Sequence, residues 1–588
     1  MADVPPFDIQ QVKCDLIVAQ RECYDRRLVH AAKWAAEMSR ALNVKVDAKS
    51  LIHAEEAEDF WDEYDSYVLG KNYYDVKEFD RAVHVLRDCT SPKPYFLRLY
   101  SLYMSDQKKK ADNMPESSAV PEETDNEILK ILQTELLEKH CKKELDGYGL
   151  YLYGVVLTKL DLPSSIDIFV ESVNKEPMNW SAWMELARHI TDKEMLLSLR
   201  LPQHWINSLF MAKVYMELQL NDNALAIYRT FMERGFSESS YLVSQFAVTY
   251  HEMRVVSVDQ IILAVDLAVQ TFKTLEVMDP YRLENMDVYS NLLFVTENKA
   301  ELAHLAHKCC TINKYSVETC CVIGNYYSLR SQHEKALLYF QRALKLNANY
   351  ISAWTLVGHE YMEMKNTSAA IQAYRRATEV DKRDYRAWYG LGQTYEILKM
   401  PNYSLYYYRR AQLLRPNDSR MVIALGECYQ KIDRLQEAKK CFWKAHCLGD
   451  AEEIALLKLA NLFVALNERE QACQAYTEYI NQADKLLIRD HSVLSRAYLY
   501  LADYHSSKKN WDDAYTAAQK CTEFPETREE AKGMLRMIQT QRTQDTPVTP
   551  TAMNVDDSMD SMIHSDLYNP TAPRTFDRVT PVNLKFTP

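Results

Sequence analysis

The chain of 588 residues has only 12 glycines and no apolar run of 18 residues. Without such a run nothing is expected to span a bilayer. The first six residues, Met1 to Pro6, lack a basic region followed by an apolar stretch, so no secretory leader is expected. The 13 cysteines show no paired framework, which points to a reducing compartment. These absences predict a soluble, intracellular protein. An excess of positive charge is missing too: the formal charge of −12 argues against a nucleic-acid surface and favours basic partner segments. No glycine-rich phosphate loop, nucleophile elbow or dinucleotide fingerprint occurs. His359 and Glu360 are followed by Tyr361, Met362 and Glu363, so the second histidine of a zinc-protease helix is absent. The sequence therefore predicts no enzyme and no cofactor. What it has in quantity is tyrosine (39) and apolar residues (47%), which suits a long helical array.

Residues 317–450 read as one 34-residue unit written four times, with starts at Val317, Ile351, Tyr385 and Ser419. Position eight is always glycine: Gly324, Gly358, Gly392 and Gly426. Position eleven is always tyrosine: Tyr327, Tyr361, Tyr395 and Tyr429. Position twenty is Ala336, Ala370, Ser404 and Ala438; position twenty-four is Phe340, Tyr374, Tyr408 and Phe442; position twenty-seven is always alanine. Trp354 and Trp388 take position four in the middle pair. This is the register of the tetratricopeptide repeat, TPR, a helix-turn-helix unit that must stack to bury its apolar face. Glycine inside a helix costs about 1 kcal/mol against alanine. Five of the 12 glycines, these four and Gly70, nevertheless fall at position eight, so close helix packing is the expected reason. Positions eight and twenty are expected to face each other, with the aromatic residues filling the space between pairs.

The register predicts an all-α TPR superhelical solenoid of about a dozen repeats. Residues 1–96 read as amino-terminal TPR-like repeats, and 97–145 as a repeat interrupted by a disordered acidic loop at about 105–126. Residues 146–282 read as middle repeats with an insertion at 255–263 that extends a hairpin turn. The regular block with its groove spans 283–486, and a last repeat and capping helix span 487–541. The tail, 542–588, reads as disordered. Its Thr546, Thr549 and Thr580 precede prolines and are candidate phosphorylation sites, where a phosphate could create or remove a docking contact.

Cys309, Cys310, Cys320 and Cys321 with His304 and His307 resemble a metal cluster. In the repeat frame, however, Cys309 and Cys320 fall on core positions, so no metal is expected. Positions two, five, nine and twelve of each first helix line the inner groove with which TPR proteins hold extended peptides. Position nine reads Asn291, Asn325, His359 and Gln393, side chains suited to hydrogen-bonding a peptide backbone. Around them lie Asp287, Thr355 and Tyr389 at position five, Glu396 at position twelve, and Glu363. Carboxylates beside amides and an aromatic ring form a seat for an arginine. Position five runs Asp287, Cys321, Thr355, Tyr389 and Ile423, without the lysines of a chaperone-binding clamp.

Beyond spacing, the runs VETCCVIGNYYSLRSQHEK at 317–335, GHEYMEMKNTSAAIQAY at 358–374 and YRAWYGLGQTYEILK at 385–399 resemble subunit eight of the anaphase-promoting complex. ELDGYGLYLYGVVL at 144–157 and DPYRLENMD at 279–287 agree, and the resemblance covers about 65–533. It implies a non-catalytic scaffold of a cell-cycle ubiquitin ligase that acts in mitosis. The implied assembly is a homodimer through the amino-terminal repeats, surrounded by related TPR subunits. It also implies that the groove, through Asn325, His359, Tyr389, Gln393 and Glu396, receives the arginine-containing box of a Fizzy-type WD-repeat co-activator. Neither nucleic acid nor membrane is among the implied partners. The first hairpin looks little like the family's, and the 255–263 insertion is a departure from it. The alternative readings are another TPR adaptor, a cochaperone, or an enzyme fed by its repeats, for which the roughly 50 residues after the array leave too little chain.

Overall fold

Each 34-residue period folds into a helical hairpin because its two ends are written into the chain. Three of the four first helices of the regular block begin at short polar caps. The side chains of Ser316, Asp384 and Asp418 accept from backbone N–H groups two or three residues on, opening helices Val317–Leu329, Tyr385–Ile397 and Ser419–Lys431. Such caps contribute about 1 kcal/mol each. Each first helix ends by closing back on itself. Gln332, Asn366, Met400 and Arg434 donate their N–H to the carbonyls of Tyr327, Tyr361, Tyr395 and Tyr429, five residues earlier. That closure needs a left-handed residue, normally glycine. Here Ser331, Lys365, Lys399 and Asp433 adopt it, with φ of 57°, 60°, 57° and 66°. None of these four turn residues is a glycine.

The packing is tighter than spacing alone predicts, and position eight meets position twenty-four as well as position twenty. Position eight faces the ring at position twenty-four of its own hairpin. A Cβ at Gly392 would stand 2.5 Å from Tyr408 Cδ1, and one at Gly426 2.7 Å from Phe442 Cε1. Gly324 and Gly358 meet Phe340 and Tyr374 in the same way, and Gly70 meets Leu86. Position twenty sits on the backbone: Ser404 Oγ donates to the Gly392 carbonyl at 2.9 Å, and Ala336, Ala370 and Ala438 are fully buried. Position four does more than fill space. The indole N–H groups of Trp354 and Trp388 donate to the carbonyls of Ala348 and Lys382, six residues back, fixing the loop between repeats. Position twenty-five completes the stitching: Gln341, Arg375 and Arg409 each donate to the tyrosine hydroxyl at position eleven of the next repeat.

The computed structural model describes residues 6–46, 58–112, 126–253, 258–450, 453–486 and 491–545. These hold thirty α-helices and no strand. No helix among them is long and apolar enough to cross a membrane. The chain divides into two units, Met1–Asp490 and His491–Pro588. The first is a TPR solenoid of thirteen hairpins and one short helix, Glu58–Asp62. In the second, a hairpin of His491–Ser507 and Trp511–Cys521 packs with helix Arg528–Asp545.

Several sequence expectations are corrected. Helix Pro92–Asp112 runs through 105–112, the first part of the expected loop, because Ser105 and Asp106 are buried against the preceding hairpin and Ser105 bonds Asp80. Residues 113–125 lie outside the described residues. Helix Val258–Met278 takes in 258–263, so that part of the insertion lengthens a second helix rather than a turn. The last helix continues to Asp545, beyond 541. Thr546, Thr549 and Thr580 lie outside the described residues.

The amino-terminal hairpin, Ile9–Asp25 and Val29–Ala41, does not simply start the array. It lies along the leading ends of later first helices: Trp34 stacks on Trp180 at 4.4 Å and meets Tyr241 edge-on, while Phe7 sits among Trp205, Phe231 and Phe236. Lys33 pairs with Glu284, and Arg26 pairs with Asp146 at 3.0 Å and lies over the Tyr148 ring. One continuous core therefore runs from Val12 to Phe246, whereas the regular block is divided into small clusters between adjacent repeats.

Candidate functional site

The first helices Met286–Val295, Val317–Leu329, Ile351–Glu363 and Tyr385–Ile397 carry every residue expected to line the groove. Their side chains fall into two groups. The first is already occupied. Asn325 is buried, and its amide donates to Ser290 Oγ at 2.8 Å and to Asn291 Oδ1 at 2.7 Å. The expected amide ladder thus begins as an internal bond between two of its members. Thr355 is buried as well and gives its hydroxyl to the Ser352 carbonyl at 2.9 Å. Glu396 accepts from Tyr408 Oη at 2.5 Å and from Lys431 Nζ, so the carboxylate expected to receive a guanidinium already has a cation.

The second group still offers hydrogen-bonding atoms. His359 is exposed at its edge, and its Nδ1 bonds the Tyr374 hydroxyl at 2.8 Å. Crowding by surrounding protein, together with Arg386, lowers its pKa to about 4 against the opposing pull of Asp384, so the ring is neutral at physiological pH. Tyr389 is hydrogen-bonded to Gln393, and its pKa is raised by burial and by Glu396, Glu427 and Asp418. Glu363 is exposed and has no cation paired with it among the described residues.

The sequence reading missed an acid on this wall. Glu318, at position two, lies half-buried near Asp287 and Glu284. Burial raises its pKa, and both carboxylates raise it further, against hydrogen bonds from its own backbone and from Ser316. Glu284 is neutralised by Lys33 and Arg282, whereas Asp287, 6% exposed, accepts from the Tyr350 hydroxyl at 2.6 Å. Asp287 and Glu318 are therefore two neighbouring acids with no cation paired to either among the described residues. Position two was a recognised groove position, so reading Glu284, Glu318, Ser352 and Arg386 along it would have found the cluster. Glu360 was also missed. It is 4% exposed and joins two repeats by accepting from Ser328 Oγ at 2.6 Å and His333 Nδ1 at 2.9 Å. Gly390 belongs to the wall too: a Cβ there would stand 2.5 Å from Tyr374 Cζ, the ring that holds His359.

The far end of this wall is fastened to an earlier repeat. Arg415 pairs with Glu252 at 2.6 Å and lies 3.8 Å over the Tyr385 ring. Burial alone would raise the Glu252 pKa; Arg415, helped by His251 and Arg386, lowers it instead. Among the described residues no group of three or more His, Cys, Asp or Glu is placed to hold a metal ion. Cys309, Cys320 and Cys321 are buried, and burial pushes the Cys309 thiol up to about 12, as it raises the other two. The wall can hold a polar, cationic chain by hydrogen bonds and charge.

The family model described as anaphase promoting complex subunit 8 / Cdc23 matches residues 11–247, and TPR models match 317–350, 358–396 and 454–485. The chain is 38% identical over 589 residues to anaphase-promoting complex subunit 8 of Dictyostelium discoideum, covering 90% of this chain and 98% of that one. To the Arabidopsis thaliana subunit 8 it is 46% identical over 486 residues, covering 82% of each. To the Homo sapiens cell division cycle protein 23 homolog it is 53% identical over 312 residues, a match that spans 52% of this chain and half the length of that relative. Among solved structures, a chain of the APC/C hetero-tetramer Cut9-Hcn1 superposes with a TM-score of 0.53 at 17% identity. It covers 88% of this chain and 95% of that one, a likeness of fold.

Proposed function

Because the chain belongs to the anaphase promoting complex subunit 8 / Cdc23 family, we propose that it is a non-catalytic TPR scaffold of that cell-cycle ubiquitin ligase. It organises neighbouring TPR subunits in mitosis and receives an extended arginine-containing segment of a Fizzy-type co-activator on its first-helix wall. Ubiquitin transfer belongs to other chains. The observation that carries the binding role is the pair Asp287 and Glu318, acids held together in a partly buried place without a cation. An incoming guanidinium relieves that repulsion and gains charge-assisted hydrogen bonds. His359, Tyr389, Gln393 and Glu363 then take the segment's backbone and flanking groups. Glu396, held by Lys431 and Tyr408, supports Tyr408 beneath Tyr389 rather than receiving the arginine.

The same reading places the protein in nucleus and cytoplasm as a homodimer through residues 1–96, where Trp61 and Tyr64 are exposed. Phosphate on Thr546, Thr549 or Thr580 would tune a docking contact. The test is fluorescence anisotropy of the full chain with a short arginine-containing peptide and with the same peptide carrying citrulline, which keeps the shape and loses the charge. Tighter binding of the arginine form supports the seat; equal binding of the two sinks it.

A further inference from the structure

The outer side of the regular block has a charge opposite to that of the chain. Helices His333–Leu346, Thr367–Val380, Pro401–Leu414 and Leu435–Cys447 hold ten lysines and arginines against three glutamates, in a protein of formal charge −12. Positions twenty, twenty-four and twenty-seven of these helices are buried, which turns positions nineteen, twenty-two, twenty-six and twenty-nine outward. Position twenty-six is Arg342, Arg376, Arg410 and Lys444, one cation per repeat on the same face.

Their surroundings distinguish them from ordinary solvated charges. Arg375 and Arg409, one residue earlier, are spent on tyrosine hydroxyls of the next repeat, and Arg376 is paired with Glu379. Arg342 lies over the Tyr315 ring and Arg410 over Tyr406, and no carboxylate among the described residues is paired with Arg342, Arg410, Lys440 or Lys444. Among these cations stand exposed apolar side chains, Leu338 at 65%, Tyr403 at 60% and Leu413 at 69%.

We propose that this outer stripe, from Leu338 to Lys444, docks an acidic segment of a partner protein whose carboxylates alternate with apolar side chains. Both halves of that description are required. Cations at repeat spacing, of which Arg342, Arg410 and Lys444 have no carboxylate paired with them among the described residues, call for carboxylates, and Leu338 and Leu413 call for apolar partners that a phosphate backbone lacks. A nucleic acid would also meet the repulsion of the chain's net negative charge. The stripe uses the second helices, so it is independent of the arginine seat on the first-helix wall.

The test is anisotropy of the full chain with a labelled peptide that repeats Glu-Leu-Asp-Phe and, in parallel, with a labelled single-stranded RNA. The peptide is expected to bind, more weakly as salt rises. The combined variant R342E/R376E/R410E/K444E is expected to lose at least about tenfold in affinity, whereas R342K/R376K/R410K stays within about threefold of the original. Circular dichroism confirms that both keep their helices, and Glu318→Gln leaves this binding unchanged. Equal affinity of the charge-reversed and original proteins overturns the proposal, as does binding of RNA without the peptide. Peptide binding that appears only when residues 546–588 are removed would put the chain's own tail on the stripe and overturn the partner reading.

Discussion

Glu318→Gln should move stability and binding in opposite directions. The Glu318 carboxyl has a folded pKa above its ordinary 4.5, because burial, Asp287 and Glu284 all disfavour its charge. An acid with a raised folded pKa contributes favourably while protonated, and that contribution is lost as pH rises past 4.5. At neutral pH the ionised side chain is therefore a cost to the fold, and glutamine removes it. The variant should melt at or above the temperature of the original protein at neutral pH, and the difference should shrink in acid. Binding should go the other way. A hydrogen bond to a charged group is worth about 1.5–3 kcal/mol, so an arginine peptide should bind the variant about tenfold to about a hundredfold more weakly. Anisotropy in low and high salt, beside melting curves at neutral and acid pH, measures both. A variant that loses stability and binding together would show Glu318 to be structural, and one that binds normally would refute the seat.

Gly392→Ala sets a helix-propensity gain of about 1 kcal/mol against a Cβ that would stand 2.5 Å from Tyr408 Cδ1; the overpacking cost of about 1–3 kcal/mol should win and lower the denaturant midpoint. Gly533→Ala, where a Cβ meets nothing within 4 Å, should instead leave the midpoint unchanged or raise it. Lys365→Gly should stabilise by up to about 1 kcal/mol, since the residue is held at φ 60° where a side chain is disfavoured; a fall in melting temperature would contradict the turn geometry. Glu453, pushed up to about 7 by burial, Asp450 and Glu478, costs stability as pH rises from 4.5 through 7. Glu453→Gln should accordingly be the more stable form in mild alkali and equal in acid. His359, lowered to about 4, should make the fold gain stability between pH 4 and 6.5, a slope that His359→Asn should flatten relative to the parent.

The fold was legible because close packing leaves a compositional mark: Gly324, Gly358, Gly392 and Gly426 stand where only glycine fits against a ring. The turns left no such mark, because Ser331, Lys365, Lys399 and Asp433 hold left-handed backbone without glycine. The wall was legible as a set of positions and less so as a set of available atoms. Whether Asn325 can receive a peptide depends on Ser290 and Asn291 a full repeat earlier, and whether Glu396 can depends on Lys431 a repeat later. Spacing gives the face of a residue and not its partners. The docking of the first hairpin was beyond reach for the same reason, since Trp34 meets Trp180 and Lys33 meets Glu284 across long stretches of chain.

That hairpin alters how the array comes apart. When repeats touch only their neighbours, a solenoid opens like a zipper, each rung with its own melting point. By lying against residues from Asp146 to Glu284, the hairpin Ile9–Asp25 and Val29–Ala41 bolts non-adjacent rungs to one splint. The stretch they cover should melt all at once. Cutting the splint away would turn a sharp transition into a gradual one.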